Sequence, residues 1–348
     1  MKRLSRYRPA LGAALLIAVS GFSHGEEILD RVVLTNGSTI FGHVTDIKNG
    51  KVSVKTEFAG TLKISIDQIK TLDTSNPVVV KLSDGSIANN VLIHLADGKP
   101  SLQKVDSENV SQAIELDTID VINPEPWQIG LAYKHEGGAS LALVQQRGNS
   151  DTDQLDYRIE AKWTGDDDRF NVLAEGELDE SEGRKNAENW TVSVKYDRFT
   201  DTTAYYGVNS SVKQDEFADL DLRFYVGPYY GQQFFDTDQF TLSAEVGLTY
   251  VSENFIQAKD QSYPGANWTL DIGSDWLGTD TQLYLKQQGI WDLDNLDDLI
   301  IDTRIGLTIP LLMNVQAAAE YSLEYDSGAP EGVDEIDQSI KVRFGYRW

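Results

Sequence analysis

Residues 155–163 read LDYRIEAKW: Leu155, Tyr157, Ile159, Ala161 and Trp163 alternate with Asp156, Arg158, Glu160 and Lys162. Side chains on an extended strand alternate between faces, so this stretch has one apolar and one charged face, a period no helix presents. The scheme recurs in Trp190, Val192, Val194 and Tyr196 against Ser193, Lys195 and Asp197. It returns in Phe240, Leu242, Ala244, Val246, Leu248 and Tyr250 opposite Glu245, and in Val315, Ala317, Ala319, Tyr321, Leu323 and Tyr325 opposite Gln316, Glu320 and Glu324.

A soluble β-sandwich alternates in the same way, and three features decide against it. The segments reach the ~9–11 residues that cross a bilayer, where globular strands average ~5–6. Tight connections at Thr164–Asp168, Thr200–Thr202, Asp236–Asp238, Gly278–Asp280 and Leu311–Asn314 alternate with polar ones at Asp179–Glu188, Phe255–Ala266 and Asp326–Glu335, read as long. Outer-membrane barrels combine short periplasmic turns with longer external loops. Tryptophans stand at the expected strand ends, Trp163, Trp276 and Trp348 on the periplasmic side and Trp190, Trp268 and Trp291 outside, as interfacial girdles require. In Ser339–Trp348, SIKVRFGYRW, the apolar face of Ile340, Val342, Phe344, Tyr346 and Trp348 runs to the final residue. Phe344, Tyr346 and Trp348 resemble the signal read by the outer-membrane assembly machinery.

The expected fold is all-β: a C-terminal antiparallel transmembrane β-barrel of about 12 strands, preceded by a small duplicated SH3-like or Sm-like β domain. The expected boundaries are a signal peptide over 1–25, the duplicated periplasmic domain over 26–122, a linker over 123–136 containing Asn-Pro-Glu-Pro, and the barrel over 137–348. Lys2, Arg3, Arg6 and Arg8 precede an uncharged run from Ala10 to Phe22, with Ser23 and Gly25 placed for cleavage. That run is shorter than the ~20 residues of a spanning helix.

The duplication shows when Val32, Leu34, Asn36, Gly37 and Ser38 are laid on Val80, Leu82, Asp84, Gly85 and Ser86. Asn49, Gly50 and Lys51 match Asp97, Gly98 and Lys99. Ile64, Ile66, Asp67 and Ile69 match Ile114, Leu116, Asp117 and Ile119. Asn-Gly and Asp-Gly between apolar residues mark hairpins, here expected as type I′ turns. His43 and His94 are not equivalent in the two copies, so a metal pair is not expected.

The chain has no cysteine, which excludes a disulfide scaffold and an acylated lipoprotein. A formal charge of −25 argues against nucleic-acid binding. Loop and periplasmic solubility accounts for the acid excess; divalent cations bridging loop carboxylates to lipopolysaccharide phosphates are the sharper alternative, and both stand.

The lumen-facing positions collect both signs of charge: Arg158, Glu160, Lys162, Glu175, Glu177, Lys195, Arg223, Glu245, Asp271, Lys286, Arg304, Glu320, Lys341 and Arg343. Barrels of about 12 strands lie between those filled by side chains and those holding an aqueous channel. A catalytic site is not expected. His135 is the barrel region's histidine, with Ser140 its nearest serine, and no triad order follows. Asp292, Asp294, Asp297 and Asp298 read as solvated loop charge. No cofactor or metal is expected.

Gly148, Asn149, Ser150, Asp151 and Thr152, after a first strand opening with Gly137 and Gly138, together with the strand rhythm and aromatic end, resemble the salt-induced outer-membrane protein family, also called domain of unknown function 481. The resemblance covers 127–348 and implies a single-chain outer-membrane barrel tied by name to salt or osmotic conditions, with no site residues to carry over. The resulting expectation is a non-enzymatic barrel acting as a narrow solute or ion channel or stabilising the envelope. A closed structural or adhesive barrel with a docking periplasmic domain is the first alternative, and a hydrolase with a rim site the second. Expected partners are outer-membrane lipid and lipopolysaccharide, the assembly machinery during biogenesis, and peptidoglycan or a periplasmic protein, with the barrel a monomer.

Overall fold

The computed structural model describes residues 29–48, 50–96, 99–105, 111–114, 118–146, 152–237, 239–278 and 281–348. The signal peptide and residues 148–151 of the family turn lie outside them, as do Asn49, Asp97, Gly98, Leu116 and Asp117 of the repeat. The chain divides into two compact units between Pro124 and Glu125. A 3₁₀ turn at Pro126–Ile129 falls inside the expected linker.

The first unit has five strands per copy. The first copy holds Asp30–Leu34 (β1), Thr39–Lys48 (β2), Lys51–Thr56 (β3), Gly60–Ser65 (β4) and Ile69–Asp73 (β5). The second holds Val78–Leu82 (β6), Ile87–Ala96 (β7), Lys99–Lys104 (β8), Ser111–Ala113 (β9) and Ile119–Ile122 (β10). Within each copy the first strand pairs with the second and fifth, the second with the third, and the third with the fourth. The copies do not close as two separate barrels. β5 also pairs with β7 of the other copy, making one open, curled 10-stranded sheet. The reason is a common core: Val32 and Val80, Ile69 and Ile119, and Leu72 and Ile122 stand at matching places and are buried together.

The turns at Asn36-Gly37 and Asp84-Gly85 are alike but are not type I′. Gly37 and Gly85 have φ of 87° and 81°, and Asn36 and Asp84 do not share the left-handed region. Gly37 N–H donates to Leu34 and Leu34 N–H to Ser38, with the same bonds at Gly85, Leu82 and Ser86. This is a type I turn followed by a left-handed glycine, which Asn36 and Asp84 hold by accepting from the N–H two residues on. Buried Asp30 accepts from Val44 N–H at 2.8 Å and Ser75 N–H at 2.7 Å, tying β1 to β2 and to the start of the second copy. Asp30→Ala strands both donors and will cost about 1.5–3 kcal/mol, read as a lowered urea midpoint of the intact protein's first unit.

The second unit is a closed meander of 12 antiparallel strands, each paired with its sequence neighbours and the last with the first. The strands are Lys134–Gln146 (β11), Thr152–Thr164 (β12), Asp168–Ser181 (β13), Arg184–Phe199 (β14), Ala204–Asp215 (β15) and Leu220–Asp236 (β16). Phe240–Phe255 (β17), Gln261–Ser274 (β18), Gln282–Asp292 (β19), Leu299–Pro310 (β20), Val315–Asp326 (β21) and Ile336–Arg347 (β22) complete it. With 11 to 17 residues apiece these strands span a bilayer.

The seam joins Gly138–Leu141 of β11 to Phe344–Arg347 of β22, and Gly137 and Trp348 exchange N–H···O bonds at 3.1 and 3.2 Å. A Cβ on Gly137 would sit 2.6 Å from the Trp348 ring, so the seam requires glycine there. Gly137→Val will therefore slow barrel closure, read as a larger fraction of heat-insensitive monomer on gels.

Three boundaries differ from the sequence reading. β11 opens at Lys134, ahead of Gly137, so His135 lies in the strand, paired with Trp163. Asp179–Glu188 is not a long loop: β13 and β14 run on to a turn at Glu182 and Gly183, both with positive φ, and Ser181 pairs with Arg184. β18 likewise opens at Gln261, which leaves Trp268 in mid-strand over Gly289. Beyond the bilayer a strand no longer needs an apolar face and so reads as loop.

At the turn over 200–203, Asp201 Oδ1 accepts from Thr203 N–H (2.7 Å), Thr203 Oγ1 (2.9 Å) and Ala204 N–H (2.8 Å). These bonds, the Thr203 amide foremost, hold its carboxyl below the usual range. A lowered pKa stabilises the turn above the unfolded carboxylate value, and the contribution vanishes as pH falls through the lowered one. Amide protection at Thr203 and Ala204 will decline across that acid window and lose its pH dependence in Asp201→Ala, as hydrogen exchange reads.

The barrel lumen as candidate functional site

Bonds between distant strands identify the interior. Arg304 on β20 donates to both oxygens of Glu175 on β13, at 2.7 and 2.8 Å. Those strands stand five apart around a 12-strand cylinder, so this bidentate pair crosses the lumen. Lys213 on β15 reaches Glu324 on β21, the opposite wall, and Arg223 on β16 reaches Asp326 on β21 at 2.7 Å. The register then carries the inward face strand by strand, and every predicted lumen charge has that parity.

The charges fall into three layers. In the middle, Arg158 donates to Glu175 (2.9 Å) and with two nitrogens to Glu320 (2.9 and 3.1 Å). Glu320 also accepts from Arg343 and from Tyr284 Oη at 2.7 Å. Lys341 joins Asp156 at 2.7 Å and Glu177, and Arg304 also holds Asp302. Towards the rim opposite the start of β11, Arg223 pairs with Glu253 as well as Asp326, and Gln261 donates to Glu253 at 2.7 Å. A cavity of about 30 Å³ beside this layer, lined by Lys213, Asp215, Glu324, Asp334 and Asp337 as well as by Leu220 and Phe255, is roomy and polar enough to hold water. Towards the other end, Lys195 grips both oxygens of Glu245 at 2.7 and 2.6 Å, Tyr205 donates to Glu245 at 2.9 Å, and Arg169 pairs with Asp197 at 2.6 Å. Arg169 also lies over the Phe199 and Tyr205 rings, and Lys195 over Tyr229.

Thus Arg158, Glu175, Arg304, Glu320 and Arg343 form one network, Lys195 and Glu245 a second, and Arg223 anchors a third. Four predicted residues stand apart from them. Asp271 and Lys286 pair at 3.3 Å with exposed side chains, Lys162 pairs with Glu136 at 2.8 Å, and Glu160 is exposed. Asp156, Asp197 and Glu324 were read on the polar strand faces but not among the lumen candidates, and Lys213, Glu253, Asp326 and the tyrosines were not singled out as lumen residues from sequence. The alternation that placed Arg158 places them too; which walls meet depends on the closed geometry. Ser140 faces inward opposite Arg158, whereas His135 has the other parity and packs on Trp163, so they form no nucleophile–base pair. Asp292 is buried and caps its own loop by accepting from the N–H of Asp294 and Asn295. His94 hydrogen-bonds Asp73.

Glycines make room for the lumen tyrosines. A Cβ on Gly306 would lie 2.2 Å from the Tyr284 ring, and one on Gly231 2.3 Å from Tyr205. Gly306→Val will push Tyr284 away from Glu320, costing about 1–3 kcal/mol by overpacking, measured as a lower barrel melting temperature.

A closed antiparallel cylinder, with apolar Val246, Leu248, Ile305, Val342 and Phe344 exposed outward and charge inside, is a transmembrane β-barrel of the outer-membrane type. A family model described as "Protein of unknown function, DUF481" matches residues 139–348, and the chain belongs to that family. No curated protein matches the chain. Similar solved structures include the NanC porin, at 12% identity over 62% of this chain and 98% of that one with a TM-score of 0.38. The KdgM porin aligns at 11% identity over 61% and 98%, TM-score 0.32. The translocator domain of the autotransporter NalP from Neisseria meningitidis aligns at 12% over 62% and 88%, TM-score 0.35.

Proposed function

We propose that the protein is a non-enzymatic outer-membrane barrel serving as a narrow channel for ions or small solutes, held shut at rest by ion pairs across its lumen. The observation that carries this is the bidentate Arg304–Glu175 pair, joined by Lys213–Glu324 and Arg223–Asp326, each linking walls five or six strands apart. Polar interiors are common to open and sealed outer-membrane barrels, and what favours a path here is that these pairs bridge the width of the lumen, so parting them opens it. Charged groups that water can reach when parted suit a path that opens. The first unit fits a periplasmic docking module for peptidoglycan or another envelope protein, and Phe344, Tyr346 and Trp348 fit the assembly signal.

The name of the resembled family adds a link to salt or osmotic conditions, and lumen ion pairs are what ionic strength would weaken. The test is planar-bilayer recording of the refolded protein. Small, infrequent steps whose open probability rises with salt support the channel. Silence at every voltage and salt concentration favours the sealed structural barrel, a reading supported by the near-complete burial of Glu320 and Arg343.

A further inference from the structure

The barrel rim at the start of β11 and the end of β22 is two-sided. The turns over 165–167 and 200–203 carry Asp166, Asp167 and Asp201, with Asp168 and Thr203 beside the strands. Further round the same rim, the turn after β18 presents Trp276 and Leu277 beside Asp275, and the turn after β20 presents Leu311, Leu312 and Met313 with no carboxylate. Trp276, Leu312 and Met313 are 87%, 83% and 90% exposed, projecting clear of the protein. Two strand spacings, about 10 Å, separate these two turns, so they form one apolar patch.

Two observations indicate what covers it. The outward column of β20, Ile305, Leu307, Ile309 and Leu311, runs without a break onto Leu312, so the patch continues the lipid-facing wall. Met313 and Asn314 have φ of 56° and 62°, and Val315 N–H donates to Leu312, the geometry of a type I′ turn. Water-exposed turns of this type favour Asn, Asp or Gly at both positions. A methionine there accepts backbone strain to place an apolar side chain at the tip.

We propose that the turns after β18 and β20 are immersed in the phospholipid leaflet on the periplasmic side while the acidic turns at 165–167 and 200–203 remain in water, so the barrel sits with its axis inclined. Trp276 suits the headgroup boundary, and Leu312 and Met313 suit the acyl region. A carboxylate costs little at the headgroup boundary, where Asp275 stands next to Trp276, and more with depth, so the turn at Leu311, Leu312 and Met313, which has none, goes deepest. The proposal rests on the membrane-barrel reading, and the test separates the two.

The cysteine-free chain allows single labels at Leu312→Cys, Leu277→Cys, Asp167→Cys, Thr202→Cys and, in mid-wall, Leu248→Cys. Each carries an environment-sensitive fluorophore in phosphatidylethanolamine–phosphatidylglycerol vesicles containing brominated acyl chains, with iodide as aqueous quencher on both sides. The labels at 277, 312 and 248 are expected to emit to the blue and be quenched several-fold more by bromolipid than by iodide, with the reverse at 167 and 202. Iodide quenching at 277 and 312 equal to that at 167, with 248 still lipid-quenched, overturns the immersion alone. Loss of lipid quenching at 248 as well overturns the membrane reading and the immersion with it.

Discussion

Glu320→Ala will destabilise the barrel by about 3–5 kcal/mol. The carboxylate accepts from Arg158 twice, from Arg343 and from Tyr284, and is almost wholly buried. Truncation leaves two guanidinium groups close together in a confined interior without the charge between them. Their mutual repulsion adds to the lost bonds, which Glu175 beside Arg158 and Asp156 at 3.5 Å from Arg343 offset only in part. Glu320→Gln keeps shape and some acceptor capacity but not the charge, so it will fall between. The exposed Lys185–Glu188 pair is the control, because Lys185→Ala removes an interaction that solvent already screens and will leave the urea midpoint nearly unchanged. Urea titration of folded barrel in lipid, followed by loss of the compact gel band, measures all three.

The second large effect is on conduction. Lys213→Ser, Arg223→Ser and Arg304→Ser together remove the cationic half of the three pairs that, among the described residues, join walls five or six strands apart. Glu175, Glu253, Glu324 and Asp326 remain, so the path that opens is lined by carboxylates. They hydrate through the lumen they open, which softens the cost of leaving them unpaired. The triple variant will conduct in steps several-fold larger than the native barrel and will prefer cations, read from the reversal potential in a salt gradient. Charge-reversing Glu175→Arg on that background will shift the preference towards anions.

Much of this architecture was legible in the sequence because a membrane barrel has only one dry face per strand. LDYRIEAKW assigned Arg158 to the interior and Ile159 to lipid from parity alone, and the same rule held at Lys195, Glu245, Arg304 and Glu320. Parity could not say which walls meet. Arg304 finds Glu175, 129 positions away, because 12 strands close at a particular stagger, and no local pattern records that. The rule also failed beyond the bilayer, where Asp179–Glu188 is polar on both faces and looked like a loop although β13 and β14 continue through it. In the first unit the duplication was visible in Val32 and Val80, but not the pairing of β5 with β7, because each copy alone supplies too little apolar surface to predict how the two share it.

The most direct test of the central claim is a paired single-channel recording, in one lipid and one salt, of the native barrel and the Lys213→Ser/Arg223→Ser/Arg304→Ser variant, each first shown to be folded by its heat-dependent gel shift. If ion pairs across the lumen are the closure, native traces will show rare small steps and the variant frequent, larger, cation-selective ones. Equal conductance in the two would contradict it.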